Sequence, residues 1–480
     1  MKTRTPLLPL DAKLAYALPA LALAVVGIPV YVYIPKFYTD VVGVDIAVVG
    51  YLLFGVRVFD AVTDPLIGWW SDRLRSPMGR RRPFIITGAV LLAAAMFFLF
   101  TPPRQAADGT QTLWLAVWIY TLFLFWTLTA VPYESLGPEL TRDYNERTSL
   151  FALRDGFLIA GTLLAAAAPA LIKAVFGIEQ GPEGERKTFL SLALVYMPLL
   201  IGTCAWCVLR LREVPGRPDT RRTSLKESLT LIQRNRPFVI LLAAFTISAL
   251  GANLPAALIL YYVEYVLKAA NAEAFLLAYF VTGIVFLPLW IKVARRWGKK
   301  KAWLMSMAVN TMAFLGVFFL GEGDARLYGI LVVASGIGFG ATLALPSALQ
   351  ADVIDYDELI SGKRREGHYV GLWSVAKKLS AAVGLGIGLG ALGATGYMPN
   401  AQQSETVEWV IRCFYALIPS VCNMIAMVIA LRYPLDNILH ERILSAIDAR
   451  KNGMPVADPF TGQTLPDRPR LAYADGRLDT

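Results

Sequence analysis

Long apolar runs alternate with short polar segments along almost the whole chain. Twelve of these runs are long enough, at about 20 residues, to cross roughly 30 Å of bilayer hydrocarbon. They cover 14–37, 47–70, 83–101, 112–136, 150–174, 188–211, 237–265, 272–293, 302–320, 327–351, 369–392 and 407–432. Each run is predicted to be a helix, because lipid cannot hydrogen-bond to an open backbone. The predicted fold class is therefore an all-α membrane protein with twelve transmembrane helices.

The polar segments divide these runs into two sets of six. The long basic segment 211–236 separates a predicted N-terminal six-helix bundle, 1–210, from a C-terminal six-helix bundle, 237–432. The two halves also resemble each other, since a basic turn follows the second run at 79–84 and the eighth run at 298–303. Two parallel six-helix repeats joined by a linker are typical of transporters that bind substrate near the bilayer midplane.

The C-terminal segment 433–480 is predicted to be a cytoplasmic tail. Apolar residues recur at helical spacing within 435–450, which predicts an amphipathic helix lying on the membrane face or on the bundle. Residues 453–480 contain four prolines and are expected to be loosely structured.

Composition and charge support a membrane protein and indicate its orientation. Charged residues make up 17% of the chain and apolar residues 56%, whereas soluble domains have about 25% charged residues. Of 46 Lys and Arg residues, 34 lie in the termini and loops on one side of the predicted spans, and 8 in loops on the other. The positive-inside rule then predicts cytoplasmic termini in the plasma membrane, which in a bacterium is the inner membrane. The net charge of +10 follows from topology, so no nucleic-acid partner is predicted.

Charged side chains inside a membrane span are costly and mark candidate functional sites. The second run contains Arg57, Asp60 and Asp64. The two aspartates are four residues apart and share one face of a helix, with Arg57 on much the same face. Two carboxylates at low dielectric repel each other, and a bound Na⁺ or proton relieves that repulsion. The pattern predicts a cation-coupled carrier, and the alternative is a structural ion-pair triad with Arg57.

Two further spans carry polar groups that could complete such a site. Lys377 and Lys378 lie in the eleventh run and point about 100° apart on a helix, so at most one of them can face a central cavity. Both could instead extend to the cytoplasmic edge of the membrane. Thr127 in the fourth run offers a hydroxyl ligand, and its alternative is a hydrogen bond to its own helix.

Two motifs match enzyme signatures in sequence but lack the structural context that those signatures require. Residues 388–393 read GxGxxG, but they lie in an apolar helix without a preceding strand, so close helix packing is expected instead of dinucleotide binding. Cys204 and Cys207 have CxxC spacing inside an apolar run and are interpreted as packing residues. The chain has only two histidines, around which no catalytic or zinc-binding set can be assembled. The sequence therefore predicts neither an enzyme nor a cofactor other than the coupling ion, Na⁺ or H⁺.

The second run carries a family resemblance. Arg57-Val-Phe-Asp60-Ala-Val-Thr63-Asp64-Pro65 resembles the helix-two signature of the glycoside–pentoside–hexuronide:cation symporters, which belong to the major facilitator superfamily. Further segments resemble motifs of the same family, namely 36–40, 131–133, 352–356 and 362–367. The resemblance implies the major facilitator fold, a monomer in the bilayer and a small-molecule substrate.

The resemblance also implies roles for residues of the site. Asp60, Asp64, Thr63 and Thr127 correspond to the family's cation ligands, and Lys378 to its helix-eleven lysine, with Arg57 as a further charge partner. Thr63 replaces an asparagine that a well-studied member has at this position. That departure leaves the choice between Na⁺ and H⁺ open.

The substrate is less well defined by this resemblance. Ala24 and Ala130 stand where sugar-binding aspartates occur in the family, and Glu134 stands where a stacking tryptophan occurs. A sugar or glycoside is expected, and the alternative is a lysophospholipid or other amphiphile, as carried by related symporters. The missing catalytic set argues against a lipid-modifying enzyme. The paired aspartates argue against an uncoupled scramblase. The candidate substrate-cavity residues are Ala24, Tyr31, Trp126, Ala130 and Trp373.

Charges near the predicted cytoplasmic ends of the helices are candidates for a gate. These candidate gate residues are Asp72, Arg73, Glu134, Arg147, Arg154 and Arg364.

Overall fold

The computed structural model describes residues 8–74, 76–104, 109–140, 144–179, 181–211, 235–269, 271–342, 344–362, 366–452, 454–460 and 462–465. Twelve helices in these residues are long and apolar enough to cross a membrane, as predicted. The first six are α1 Leu10–Val42, α2 Ile46–Arg73, α3 Arg82–Phe100, α4 Thr110–Leu140, α5 Tyr144–Phe176 and α6 Pro182–Arg210. The second six are α7 Arg236–Val266, α8 Ala272–Trp297, α9 Lys299–Phe318, α10 Ala325–Ser361, α11 Glu366–Ala394 and α12 Glu405–Leu431.

The helices differ from the apolar runs mainly at their ends. The helix α10 consists of two pieces, Ala325–Thr342 and Leu345–Ser361, and continues past the apolar run through a strongly acidic stretch. Pro346 lies in the first turn of the second piece, where a missing backbone N–H costs no helical hydrogen bond. Hydropathy did not predict this extension because its charged residues end the apolar pattern before the helix ends.

The two halves of the chain pack in the same way. In the first half, α1 packs on α5 and α6, while α3 packs on α4 and α6. In the second half, α7 packs on α11 and α12, while α9 packs on α10 and α12. Each pair in the first half thus recurs six helices later, which makes the fold a parallel repeat of two six-helix bundles. The bundles meet mainly where α2 packs on α11, α5 on α8 and α1 on α7.

Glycines on α11 allow it to approach two neighbours closely. Gly384 and Gly388 face α7 of the same bundle, whereas Gly386 and Gly393 face α2 of the other bundle. A Cβ placed on Gly393 would lie only 2.6 Å from the Cβ of Ala47 on α2. The GxGxxG letters therefore belong to helix packing, as the sequence predicted.

The tail contains a helix, α13, which spans Asn437–Lys451. Its Ile443 and Ile447 are buried in one core cluster with the second piece of α10. After the helix, Phe460 packs edge-on against Tyr356 of α10, with 4.8 Å between ring centroids. The expectation of a loosely structured segment from residue 453 onward is therefore wrong for 454–460 and 462–465, which are folded against the C-terminal bundle. Residues 466–480 lie outside the described residues.

Candidate functional site

The paired aspartates of α2 lie side by side because they are one helical turn apart. Asp60 is 4% exposed, and the Asp64 side chain is 28% exposed. Pro65 follows directly inside the same helix and cannot donate a backbone hydrogen bond. The site therefore has one deeply buried carboxylate and one that remains partly accessible.

Thr127 of α4 connects the two carboxylates. Its Oγ1 donates towards Asp60 Oδ1 at 2.8 Å and towards Asp64 Oδ1 at 3.0 Å. A hydroxyl carries one proton, so it cannot make a full hydrogen bond to two ionised carboxylates at once. The geometry therefore suits a pair of carboxyl groups that shares an added proton or metal ion.

Lys378 of α11 reaches the same carboxylates from the other bundle. Its Nζ lies 3.0 Å from Asp60 Oδ2 and also forms an ion pair with Asp64. The neighbouring Lys377 is exposed. The structure therefore distinguishes the two lysines, which helical spacing alone could not.

Arg57 provides the second positive charge of the site. Its Nη1 lies 3.7 Å from Asp60 Oδ2, while its guanidinium carbon lies 4.0 Å from the ring centroid of Tyr31 and 5.0 Å from that of Phe123. Cation–π contacts of this kind hold a guanidinium in one place. Asp60 thus contacts a cation from its own helix as well as Lys378.

Thr63 has a different role from Thr127 in this structure. Its hydroxyl donates to the backbone carbonyl of Asp60, one turn earlier, at 3.3 Å. Thr63 therefore bonds to its own helix. Thr127, for which such a bond is the alternative, instead reaches both aspartates with its hydroxyl. Of the two predicted hydroxyl ligands, the structure brings only Thr127 into contact with the carboxylates.

Comparison with known families identifies the family of the chain. Residues 15–437 match the family described as MFS/sugar transport proteins. The chain belongs to that family. A glucuronide carrier protein homolog of Escherichia coli (strain K12) is 29% identical over 87% of this chain and 91% of its own length. An inner membrane symporter of the same strain is 27% identical over 90% of this chain and 93% of its own length.

Solved structures agree with the fold. A bacterial homologue of the human drug peptide transporters PepT1 and PepT2 superposes with a TM-score of 0.64, at 14% identity, over 91% of this chain and 99% of its own. Likeness at this identity concerns the fold alone. The protein is a multi-pass membrane transporter with the major facilitator fold, and members of its family couple the transport of small molecules to cations.

The predicted sugar-contact residues of the transporter do not all lie together. Tyr31 lies beside the charged site through its contact with Arg57. Trp126 packs across α1 at Gly27, where an added Cβ would come within 3.2 Å of the tryptophan ring. Ala130 is partly buried on α4. These residues line the α1–α4 side of the N-terminal bundle, next to Arg57.

Two other candidates for the cavity are used in packing. Ala24 faces α5, where an added Cβ on Gly161 would lie 2.9 Å from the Cβ of Ala24. Trp373 stacks on Phe245 of α7, with ring centroids 4.0 Å apart. Packing explains both residues without a substrate.

The predicted gate is only partly described. Arg73 stacks on Trp69 at 3.8 Å, and Arg154 forms an ion pair with Asp155 at 2.7 Å. Glu134 is exposed on α4, within electrostatic range of Arg154, Asp64, Lys378 and Lys377. Arg364 lies outside the described residues, and so do the side chains of Asp72 and Arg147.

A second polar cluster was not predicted from the sequence. It centres on Asp40, near the end of α1, and lies at the ends of the bundles opposite to the start of α1 and to α13. We call these ends the opposite face. Tyr265 of α7 and Tyr397, which follows α11, both donate to the Asp40 carboxylate. The signals in the sequence are Lys36, four residues before Asp40 inside an apolar run, and the resemblance of 36–40 to a family motif.

Proposed function

We propose that the protein is a Na⁺- or H⁺-coupled symporter of a sugar or glycoside that works by alternating access. One observation carries this proposal. A lysine of the C-terminal bundle, Lys378, pairs with both aspartates of the N-terminal bundle, to which Thr127 also bonds. The candidate cation site therefore includes the contact between the two bundles that move against each other in such a carrier.

The charges of the site support coupling. Asp60 and Asp64 face two cations, Arg57 and Lys378, so the cluster is balanced. A Na⁺ ion or proton at the carboxylates adds a positive charge, which disfavours the nearby ammonium group of Lys378. Arg57 is held by aromatic rings, whereas Lys378 is on a flexible stem and is the partner that can leave. Cation binding and release of Lys378 are therefore linked events.

A sugar substrate is supported by the family and by the glucuronide carrier homolog. Tyr31 and Trp126 provide aromatic surface near the charged site, and sugars bind such surfaces with their apolar faces. The second candidate is an amphiphile. It is favoured by Ala24 and Ala130, which put methyl groups where sugar-binding carboxylates occur in relatives.

The orientation belongs to the same proposal. The start of α1 and the helix α13 lie at one face of the bundles, and 34 of the 46 basic residues belong to the predicted termini and loops of that side. We assign that face to the cytoplasm of a bacterial inner membrane. The opposite face then points away from the cytoplasm.

A thermal-shift screen of purified protein tests the proposal, since a ligand stabilises the state that it binds. The screen combines sugars, glycosides and lysolipids with and without Na⁺ at two pH values. We expect a sugar shift that grows with Na⁺ or with falling pH, disappears in Asp64→Asn and persists in Lys377→Gln. A shift with lysolipids alone, below their micellar range, would instead establish the amphiphile. No cation effect on any ligand would contradict a coupled symporter.

A further inference from the structure

The cluster on the opposite face joins the two bundles through one buried carboxylate. Asp40 Oδ2 accepts a hydrogen bond from Tyr265 at 2.8 Å, and Oδ1 accepts one from Tyr397 at 2.7 Å. Asn400 donates to the Asp40 backbone carbonyl at 2.5 Å. Tyr397 lies outside the membrane-spanning segments, and burial raises its pKa, so its phenol stays a proton donor. The C-terminal bundle therefore contacts Asp40 through neutral groups.

The charge of Asp40 is balanced within its own helix. Lys36 forms an ion pair with Asp40 one turn away, and Thr39 donates to the carboxylate at 2.7 Å. The same lysine reaches across to Glu264 of α7 at 2.6 Å. The Glu264 side chain is 46% exposed and that of Lys36 only 16%, so water screens this ion pair from the Glu264 side. If the bundles separated here, Asp40 would keep Lys36 and Thr39 and would not become an unpaired buried charge.

Both helices that form the cluster leave regular α-helical geometry at this place. Residues Phe37–Val42 of α1 and Tyr262–Val266 of α7 are π-helical. The wider π turn is rare, and its occurrence is concentrated at functional sites. It also changes the direction of the side chains that follow, and thereby sets the register in which Asp40 meets Tyr265. A static contact between two bundles does not require two such turns to face each other.

Close packing between α2 and α11 continues the contact between the bundles. A Cβ on Gly386 would lie 3.1 Å from the Cβ of Phe54, and one on Gly393 would lie 2.6 Å from that of Ala47. These short distances make the α2–α11 contact a sensitive reporter, because a separation of a few ångströms would abolish it.

We propose that Lys36, Asp40, Tyr265 and Tyr397 form a latch that holds the opposite face closed and releases it during each transport cycle. Asp40 is the positioning residue of this latch. The inference rests on the proposed function in one respect, namely that the opposite face must open to admit or release substrate. The contacts of the latch that cross between the bundles are hydrogen bonds from neutral groups, the half-exposed ion pair of Lys36 with Glu264 and the cation–π contacts of Lys36 with Tyr261 and Tyr265. On the same face, Lys173 of α5 also pairs with Glu273 of α8 at 3.7 Å, so that ion pair contributes to closure beside the latch. The latch can open reversibly because none of these contacts leaves Asp40 without Lys36 when it breaks.

Disulfide formation across α2 and α11 measures closure of this face without any substrate. The cysteine pair Phe54→Cys with Gly386→Cys is introduced after the four native cysteines are replaced. Its Cβ separation of 3.1 Å lies below the range of about 3.5 to 4.5 Å found in disulfides, so the bond forms once α2 and α11 shift apart slightly. The rate of oxidation is then compared in this background with Asp40→Asn, with the milder Tyr397→Phe and with Glu322→Gln. Glu322 pairs with Lys268 on the same face, but both residues belong to the C-terminal bundle.

We expect Asp40→Asn and Tyr397→Phe to slow oxidation by about three- to tenfold, the equilibrium effect of one ordinary hydrogen bond. Glu322→Gln should leave the rate within about twofold of the parent, as for an exposed ion pair. Equal rates in the parent and in both latch variants would overturn the latch. If Asp40→Asn does not elute as folded protein in size-exclusion chromatography, the comparison is made with Tyr397→Phe alone, and equal rates in that variant and the parent overturn the latch.

The second arm measures substrate uptake in vesicles before and after reduction of the disulfide. The oxidised protein should be arrested, and a reductant should restore its uptake. Unchanged uptake by fully oxidised protein would show a static contact and overturn the release step. Because the first arm uses no substrate or cation, an error in the proposed function would leave its result intact. The two failures are therefore distinguishable.

Discussion

Two carboxylate clusters join the bundles, and they differ in where their neutralising lysine comes from. At the opposite face, Asp40 is paired with Lys36 of its own helix, and the other bundle contributes neutral donors. At the candidate cation site, Asp64 is paired with Lys378 of the other bundle. Separation of the bundles would thus break hydrogen bonds and the half-exposed Lys36–Glu264 ion pair at the first cluster, but would leave Asp40 paired with Lys36. At the second cluster it would break the ion pair that neutralises Asp64.

This difference suggests how one carrier can have one face that opens without an ion and one site whose ion pair separates only when a cation binds. A buried charge that loses its partner is strongly destabilised, so Asp64 cannot leave Lys378 unless another cation replaces it. Asp40 needs no replacement, because Lys36 moves with it. We infer that the cation requirement of the cycle resides at Asp64, and that the opposite face opens without its own ion. The following predictions test this contrast, beginning with the largest effect.

Asp64→Asn should abolish coupled uptake while the protein stays folded. The substitution removes the carboxylate that pairs with Lys378, and a hydrogen bond to a charged group corresponds to about 10- to 100-fold in an equilibrium. Gradient-driven uptake into vesicles measures the effect, with size-exclusion chromatography as the check on folding. Undiminished gradient-driven uptake by the folded variant would contradict the assignment of the cation site.

Lys378→Gln should reduce coupled uptake by about tenfold or more, because the site loses the charge that alternates with the cation. Lys377→Gln is the matched control, since it changes the same residue type on the same helix but at an exposed position. It should stay within about twofold of the parent, as expected for an exposed charge. The initial rate of uptake at saturating cation compares the two. Equal losses would mean that the contact between Lys378 and the aspartates is unimportant for transport.

Thr127→Ala should weaken the apparent affinity for the cation by about three- to tenfold, the loss of one hydrogen-bonding ligand. Thr63→Ala should change it by less than about twofold, because its hydroxyl already bonds to its own helix. Cation titrations of uptake provide the measurement. A larger effect at Thr63 than at Thr127 would show that the hydroxyl of Thr63 rotates to the cation during the cycle.

Much of this arrangement is readable from the sequence, because hydropathy and helical spacing are strong signals. Twelve runs predicted twelve helices, and the four-residue spacing of Asp60 and Asp64 predicted their pairing. The choice of Lys378 over Lys377 could not follow from spacing. It depends on the rotation of α11 against α2, which is determined by close contacts such as that of Gly393 with Ala47.

The latch lay beyond sequence reasoning for a different reason. Its members come from three segments far apart in the chain, and π turns shift two of them out of the regular helical register. A period of 3.6 residues therefore misplaces their side chains. The fold of 454–460 and 462–465 could not be predicted because a proline-rich polar segment resembles a flexible tail, although Phe460 packs on Tyr356.

The smallest effect is expected where contacts lie within one bundle. Removal of 453–480 should leave uptake intact, because Tyr356 and Phe460 both move with the C-terminal bundle and are not separated in the cycle. The loss of this aromatic contact, about 1 kcal/mol, should lower the Tm by only a few degrees. Removal of 466–480 alone is the matched control and should leave the Tm unchanged. If the folded protein without 453–480 lost uptake, contacts inside one bundle would also govern the cycle. The distinction between contacts within and between bundles, on which the comparison of the two carboxylate clusters rests, would then fail.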